Sequence, residues 1–247
     1  MKMLETFDLS VEFSGFKAIS DLNFSLDQGE VRVILGPNGA GKTTLMDLIT
    51  GKTKPTSGKV VFRGTDITGM DPHGIARLGV GRKFQGPNLF DNMTVFENLE
   101  VALQGNHTLF KALAFKKKKA LVDRIYEVLA RVSLERKANH VAVNLSHGEK
   151  QWLEMGMILA QDPELIVLDE PTTGMTADET FKTGELIQTL FKGRSVLVIE
   201  HDMAFVRQIA RVVTVLHQGK FLAQGTLQEI EQNQRVQEVY LKEGSHA

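Results

Sequence analysis

Apolar residues fall in short runs along the first 35 residues, and turn residues separate the runs at Ser14-Gly15 and at Asp27-Gln28-Gly29. This pattern predicts strands that lead into a central strand, Val31-Arg32-Val33-Ile34-Leu35. Another short strand is predicted at 59–63, after the turn at 55–58. The start of the chain is therefore predicted to be mainly β structure.

From residue 86 to about residue 160 the apolar positions follow a helical period. A helix is predicted over 97–103. A second is predicted from apolar residues at i, i+4, i+7, i+8 and i+11, which are Leu121, Ile125, Val128, Leu129 and Val132. We expect about 86–160 to form a mostly helical subdomain, with about 1–85 and 161–247 as the core.

Apolar runs return at 165–168 and at 195–199, and a helical stretch over 177–191 lies between them. Apolar runs of this length predict strands that are buried on both faces of a parallel sheet. Residues 212–223 predict a hairpin, and Thr226 with Glu229 predicts a capping box at the start of a last helix. The alternation of strands and helices predicts an α/β fold.

Composition excludes several classes of protein. The chain has 247 residues, 42% of them hydrophobic, which fits one domain or one domain with a sizeable subdomain. A formal net charge of -1 gives no basic field that would recruit nucleic acid, and no cysteine is present for disulfides or thiolate metal sites. No apolar run approaches the roughly 18 residues of a membrane span. We expect a cytoplasmic protein that reaches a membrane only through a partner.

The strongest chemical signal is a glycine-rich loop of the form G-x-x-x-x-G-K-T between the strand at 31–35 and a helix. Its backbone N–H groups and the helix dipole are expected to hold a phosphate, Lys42 to contact the outer phosphates, and the Thr43 hydroxyl to bind Mg²⁺. A purely structural turn is the alternative. The predicted ATP-binding residues of the loop are Gly36, Pro37, Asn38, Gly39, Ala40, Gly41, Lys42, Thr43 and Thr44.

Polar residues follow two of the predicted parallel strands. Asp169 is expected to hold Mg²⁺ and Glu170 to act as the base for water that attacks the γ-phosphate, since ligands sit beyond the carboxyl ends of such strands. Their alternative role is to cap a helix. His201 is a candidate contact for the γ-phosphate, or a structural histidine, and Gln85 is a candidate contact for Mg²⁺ and water.

A helix is predicted to begin at Ser146, because Ser146 and Glu149 form the S-x-x-E pattern of a capping box. Gly148 near that helix N-terminus would let an anion approach the backbone. The pattern alone leaves open whether a phosphate docks there or the helix is merely well capped.

Taken in order, the loop at 36–44, Gln85, L-S-x-G-[QE] at 145–149, L-D-E-P at 168–171 and His201 resemble the nucleotide-binding subunit of an ABC transporter over essentially the whole chain. The resemblance implies a P-loop NTPase (RecA-like) core with an N-terminal antiparallel β subdomain and an inserted helical subdomain. It also implies an ATPase that uses ATP and Mg²⁺ and works as a head-to-tail homodimer or heterodimer. Each ATP would be bound by the Lys42 loop of one subunit and the signature segment (Ser146, His147, Gly148 and Glu149) of the other.

By the same resemblance, Phe13 matches the aromatic residue that stacks on adenine, although a phenylalanine in an apolar strand is otherwise a core residue. Three positions depart from the family pattern. His147 and Glu149 replace the glycine and glutamine of L-S-G-G-Q, and Thr176 stands where an aspartate is common. A Glu149 carboxylate turned back on the helix cap would limit its repulsion of phosphate.

Within the family the chain is similar to importer subunits for branched-chain amino acids and urea. This similarity lies in residues 92–99, in the tail 239–241 and above all in 145–154 and Gly174-Met175-Thr176. The last two stretches resemble the urea type most. This implies permease subunits as membrane partners at the inner face of the cell membrane, and a solute-binding protein as an indirect partner. The alternatives are a branched-chain amino acid importer, a lipopolysaccharide-type exporter, a non-transport ABC ATPase and a small-molecule kinase.

Overall fold

The described residues of the computed structural model are 1–83, 89–104 and 115–244. The strands in these ranges are β1 Lys2–Phe13, β2 Phe16–Asp27, β3 Val31–Leu35, β4 Ser57–Phe62, β5 Thr65–Asp66, β6 Val80–Lys83, β7 Leu165–Asp169, β8 Ser195–Ile199, β9 Val212–His217 and β10 Lys220–Gly225. The α-helices in the same ranges are α1 Lys42–Ile49, α2 Pro72–Arg77, α3 Val95–Gln104, α4 Phe115–Arg131, α5 His147–Ala160, α6 Ala177–Leu190, α7 Met203–Ile209, α8 Leu227–Gln232 and α9 Gln234–Gly244.

These elements divide into two units. The first unit contains Met1–Val80, Glu164–Glu170 and the chain from Gly193 onward. The second unit contains the described residues of Gly81–Pro163 and of Pro171–Lys192. The second unit is thus built from two stretches of chain that interrupt the first.

The N-terminal strands form an antiparallel sheet in the order β2-β1-β4-β5. Its longest pair, β1 and β2, is joined by the tight turn at Ser14 and Gly15, which have φ of 49° and 88°. Several register shifts interrupt the pairing of β1 with β2. Because bulges bend a strand and increase its twist, the sheet can curve around the core.

The second sheet has the order β10-β9-β3-β8-β7-β6, and β3 pairs in parallel with both β8 and β9. Strand β7 is also parallel to β8. All five residues of β7 and all five of β8 are buried, as the apolar runs in the sequence predicted. The carboxyl ends of β3, β8 and β7 therefore meet at one edge of the sheet.

The core of the first unit joins both sheets and α1. Leu4 of β1, Ile34 of β3 and Leu45 of α1 are each 0% exposed within one cluster of buried apolar residues. Burial of apolar surface stabilises a fold by about 25 cal/mol per Å², so this cluster stabilises the unit. It holds the ends of β3 and α1, and thus the loop between them, in fixed positions.

In the second unit, α3 and α4 pack against α5. Ile125, Val128 and Leu129 are fully buried on one face of α4, which confirms the helical period read from the sequence. Helix α4 approaches α5 closely at Gly156, where an added Cβ would lie 3.3 Å from Cγ1 of Val128. Trp152 of α5 donates its indole N–H to Thr183 of α6 at 2.9 Å and links these two helices.

The predicted helices and strands are present among the described residues, but β5, α2, β6, α7 and a separate helix α9 after α8 were not predicted. The helix α2 begins with an Asp71 N-cap, whose side chain accepts from Gly74 N–H, followed by Pro72 at the first helical position. Strand β6 was also missed, because Arg82 and Lys83 make it look like a polar connection. Within the described residues, no helix combines the length and hydropathy that a bilayer-spanning segment requires.

Candidate functional site

The glycine-rich loop between β3 and α1 closes around the amine of Lys42. The Lys42 Nζ donates hydrogen bonds to the main-chain oxygens of Gly36 at 2.6 Å and Pro37 at 2.9 Å. Gly41 is the N-cap of α1 with φ of 94°, a left-handed conformation that glycine adopts without strain. A Cβ at Gly41 would lie only 2.7 Å from Cδ1 of Ile19. The loop has the backbone shape and the cation that an anion site requires.

Neighbouring main chain fixes this loop in place. The N–H of Gly219, in the turn between β9 and β10, donates to the oxygen of Ala40 at 3.0 Å. The N–H of Ser20 in β2 donates in turn to the oxygen of Gly219 at 2.9 Å. The other predicted phosphate-binding residues lie in the same loop or the first turn of α1, and they are Asn38, Gly39, Thr43 and Thr44.

The two predicted carboxylates lie at the carboxyl end of β7. Asp169 pairs in register with Ile199 of β8, and Ile199 pairs with Ile34 of β3, so the three strands end at one level. Asp169 is 3% exposed, whereas the side chain of Glu170 is 25% exposed. Glu170 has φ of 44°, and its N–H donates to the oxygen of Ile199 at 3.0 Å. The strand end thus directs Glu170 away from the extended line of β7.

His201 follows β8 and lies beside Glu170. Its Nδ1 is 3.8 Å from Oε1 of Glu170 and 3.8 Å from Oε2 of Glu200. The side chain of Glu200 is fully buried and accepts the backbone N–H groups of His201 at 2.9 Å and of Asp202 at 3.3 Å. His201 itself is 69% exposed, so it is available to a ligand beyond the strand ends.

The residues near the loop fit a magnesium ion. Thr43 lies on the first turn of α1, and Asp169 ends a parallel strand of the same unit. A hydroxyl and a carboxylate oxygen are the ligands that Mg²⁺ takes alongside substrate phosphates and water. No group of three or more metal-binding side chains occurs among the described residues. The hydroxyl and carboxylate donors fit an ion whose other ligands are phosphate oxygens and water.

The last two predicted site residues are Phe13 and Gln85. Phe13 ends β1 opposite Phe16 and is 48% exposed, so it is not a core residue. Its ring is thus accessible for stacking against a ligand. Gln85 lies outside the described residues.

The signature segment lies at the start of α5 in the second unit and carries the predicted capping box. The Ser146 Oγ accepts the N–H of Glu149 at 3.2 Å, and the Glu149 carboxylate accepts the N–H of Ser146 at 3.0 Å. The other oxygen of Glu149 forms an ion pair with Lys137 at 2.5 Å. Burial raises the pKa of Glu149, but hydrogen bonds from Lys137 and Ser146 outweigh it and keep the pKa below its ordinary value. The carboxylate is turned back on the cap, as the sequence suggested for this departure.

His147 is another departure from the family pattern, and it contacts the turn after β7. Its Nε2 is 2.9 Å from the oxygen of Thr173 and 3.2 Å from Nε2 of Gln151. Since a carbonyl only accepts, the His147 Nε2 carries the proton, and two donors then face each other. Rotating the Gln151 amide by half a turn resolves this, because it brings to His147 the Oε1 that otherwise has no partner.

The comparisons with known proteins agree with this geometry. A family model described as "ABC transporter" matches residues 19–173. The high-affinity branched-chain amino acid transport ATP-binding protein LivG of Salmonella typhimurium is 38% identical over 244 residues, which cover 95% of this chain and 96% of LivG. The chain belongs to the ABC transporter family. Its activity is that of an ABC ATPase, which binds ATP and couples its hydrolysis to transport.

Other relatives of this ABC ATPase are similar over nearly their whole length. LivG of Escherichia coli is 37% identical, covering 98% of each chain, and the probable LivG of Archaeoglobus fulgidus is 35% identical, covering 98% of this chain and 96% of the relative. The crystal structure of the ADP conformation of MJ1267, an ATP-binding cassette of an ABC transporter, superposes with a TM-score of 0.86 at 30% identity, covering 98% and 99% of the two chains. The predicted fold class is confirmed.

Sequence reasoning missed two acidic residues of this ABC ATPase. Glu200 could have been noticed in the sequence, because it is the charged residue between the apolar run that ends at Ile199 and His201. Glu179 gave only the T-x-x-E pattern of a capping box with Thr176, and that capping box is present at the start of α6. The structure adds that Glu179 also accepts a hydrogen bond from the Ser146 hydroxyl at 3.3 Å.

Proposed function

We propose that this ABC ATPase powers an importer of the branched-chain amino acid and urea group, and that it works by ATP-driven closure of a dimer. The ATPase reaction in this proposal rests on one observation, which is the common edge at which β3, β7 and β8 end. There the Lys42 loop, the Asp169–Glu170 pair and His201 belong to one unit and one sheet edge. Ligands of parallel α/β sheets bind at such an edge.

In the proposed reaction the γ-phosphate of ATP lies at the amine of Lys42 and the N-terminus of α1. Glu170 accepts a proton from the attacking water, and His201 contacts the γ-phosphate at the neighbouring strand end. Thr43, Asp169 and Gln85 would hold Mg²⁺, which neutralises charge that develops on the phosphates. Phe13 would stack on adenine.

The second half of each ATP site is proposed to come from another subunit. The segment Ser146–Gly148 begins the 14-residue helix α5, whose N-terminus is suited to a phosphate. A solved relative supports this arrangement, since MJ0796 is a dimer in a post-hydrolysis state bound to ADP and Pi, with a TM-score of 0.77 at 27% identity. The second subunit is either a copy of this chain or a related ATPase.

The proposed membrane partners are permease subunits at the inner face of the cell membrane, with a solute-binding protein as an indirect partner. Another relative, cbiO1, is part of the ABC transporter complex cbiONQ and has a TM-score of 0.82 at 27% identity. We assign the permease contact to the Gln85 loop and the helical subdomain at about 86–160. Opening and closing of the dimer would move this region.

Two solute classes remain as candidates within the group. The names of the relatives favour a branched-chain amino acid importer. The segment 145–154 with Gly174-Met175-Thr176 favours urea or a short amide, because these residues resemble the urea-type subunit. Specificity itself would reside in the permease and binding protein.

The test is transport by the assembled complex, with its permeases and binding protein, in proteoliposomes loaded with ATP. We expect uptake of leucine or of urea that requires ATP and is lost with Glu170→Gln in this chain. ATP turnover that no permease or binding protein stimulates would refute the transport role. Uptake of neither solute by an otherwise coupled complex would refute the assignment to this importer group.

A further inference from the structure

One carboxylate of the second unit contacts the caps of two helices. The Oε2 of Glu179 accepts the N–H of Thr176 at 3.0 Å and its hydroxyl at 3.1 Å, which completes the cap of α6. The Oε1 of Glu179 accepts the hydroxyl proton of Ser146 at 3.3 Å, and Ser146 is the N-cap of α5. The two oxygens therefore join segments that are 33 residues apart in sequence.

The same carboxylate lies against the backbone of the signature segment. A Cβ at Gly148 would lie 2.5 Å from Oε1 of Glu179 and 3.0 Å from its Cγ. Gly148 is buried, so the side chain of Glu179 fills the space that a larger residue would need. A second tie joins the same two segments, because His147 donates to the oxygen of Thr173.

From these contacts we infer that Glu179 is a positioning residue that holds Ser146 and Gly148 in the arrangement that meets the ATP of the second subunit. The inference rests on the proposed role of the signature segment and adds the side chain that orients it. Glu179 does not contact the nucleotide in this proposal. It acts on turnover through the rotamer of Ser146 and the path of the backbone at Gly148.

The Ser146 hydroxyl is fixed in direction by two partners. Its oxygen accepts the N–H of Glu149, and its single proton goes to Glu179. A phosphate that docks at Ser146 must take over that proton. The distance of 3.3 Å makes the bond to Glu179 a long one, so a phosphate can replace it at small cost while the contact with Gly148 remains.

The charge of Glu179 is also maintained by its surroundings. The N–H of Thr176 is the largest influence that lowers the pKa of Glu179, and the hydroxyls of Thr176 and Ser146 and the nearby His147 lower it further. Glu179 is therefore ionised at neutral pH. A negative group beside the first turn of α5 interacts favourably with the helix dipole.

The chain contains a matched control for the capping role of Glu179. Glu229 completes the same capping box on α8, where it accepts the N–H of Thr226 at 2.7 Å and its hydroxyl at 3.0 Å. Glu229 belongs to the first unit and to no proposed site. A loss that comes only from uncapping a helix must therefore appear in Glu179→Ala and Glu229→Ala alike.

The experiment measures kcat and KM for ATP in the assembled transporter, so that the natural pairing of subunits is kept. We expect Glu179→Ala to lower kcat about tenfold with an unchanged KM, since the Lys42 loop that binds the chain's own ATP is untouched. Glu229→Ala should stay within about twofold of wild type. Glu179→Gln keeps only one acceptor oxygen for the two helix caps, so its kcat should fall between those of wild type and Glu179→Ala. Adding Glu179→Ala to Ser146→Ala should lower kcat by less than Glu179→Ala does alone, because the part of its effect that acts through Ser146 is already absent.

Four other results would contradict the inferred role of Glu179. Equal kcat for Glu179→Ala and Glu229→Ala would reduce Glu179 to a helix cap. Faster turnover of Glu179→Ala would mean that the carboxylate hinders turnover more than it helps it, and would overturn positioning. If adding Glu179→Ala to Ser146→Ala lowered kcat by a further factor of about ten, Glu179 would act independently of Ser146 and the inference would be wrong. Wild-type turnover of Ser146→Ala would refute the proposed signature role, and this inference with it.

Discussion

Arg32 offers a sharp test of how the strand below the phosphate loop is stabilised. It lies in β3 and is 3% exposed, and its Nε is 2.6 Å from Oε1 of Glu30. Its Nη1 donates to Thr214 at 2.8 Å and to Gln224 at 2.6 Å. The Phe24 ring lies 5.6 Å from the guanidinium carbon. One buried cation therefore joins β3 to the hairpin β9–β10.

We expect Arg32→Met to destabilise the protein by about 3 kcal/mol, the lower end of the range of roughly 3–5 kcal/mol for removing one partner of a buried ion pair. The methionine fills much of the space, so lost packing contributes little. Most of the destabilisation comes from Glu30, whose side chain is only 12% exposed and would lose its cation. The lower end is chosen because Glu30 keeps the N–H of Asp27 at 2.9 Å.

Urea denaturation gives the free energy of unfolding for Arg32→Met and for a control, Arg207→Met. Arg207 forms the same kind of pair with Glu231 at 2.7 Å, but its side chain is 65% exposed, so its loss should cost about 0–1 kcal/mol. Adding Glu30→Gln to Arg32→Met should recover part of the loss, because no charge is left buried. Equal costs for Arg32→Met and Arg207→Met would refute the argument from burial.

Three further predictions concern the site. Glu170→Gln should lower kcat by about 10²- to 10⁴-fold while ATP binding is kept, as measured by phosphate release and nucleotide titration, and full activity would refute its role as the base. Gly148→Ala should cost about 1–3 kcal/mol in urea denaturation and less when combined with Glu179→Ala, whose shorter side chain leaves room. Since the folded-state pKa of Glu149 is lowered, its contribution to stability is present above the ordinary glutamate pKa of about 4.3 and lost as pH falls through the lower folded-state value. The stability of Glu149→Gln should therefore approach that of wild type as pH falls below about 4, and a constant difference would refute the linkage.

The sequence predicted the central sheet well, because burial on both faces leaves a plain signature. The runs at 165–168 and 195–199 are almost entirely apolar, and both are strands with every residue buried. Their carboxyl ends then follow from the parallel arrangement, which is why Asp169 and His201 could be placed at one edge. Sequence patterns were sufficient to place these two residues, because each lies at or just after the end of its own strand in the chain.

Contacts across long sequence distances could not be predicted in the same way. The T-x-x-E pattern of Thr176 and Glu179 predicts their capping box. It does not indicate that the other carboxylate oxygen of Glu179 accepts a hydrogen bond from Ser146. The sequence around Lys83 does not indicate a buried position, yet Lys83 is fully buried at the end of β6, 3.7 Å from the Glu154 carboxylate. A charge in a strand is hidden from pattern analysis when its partner lies on a distant helix.

The two proposed halves of the ATP site are stabilised by different means, and this predicts different tolerance to substitution. The Lys42 loop is fixed mostly by main chain, through the contacts of Ala40 with Gly219 and of Lys42 with loop carbonyls. Side-chain changes around it should therefore alter ATP affinity only where they add bulk or remove the lysine. The signature segment depends on two carboxylates, Glu149 and Glu179, that bond to its cap. Its geometry should thus respond to single charge changes and to pH, while nucleotide binding by the same chain is preserved.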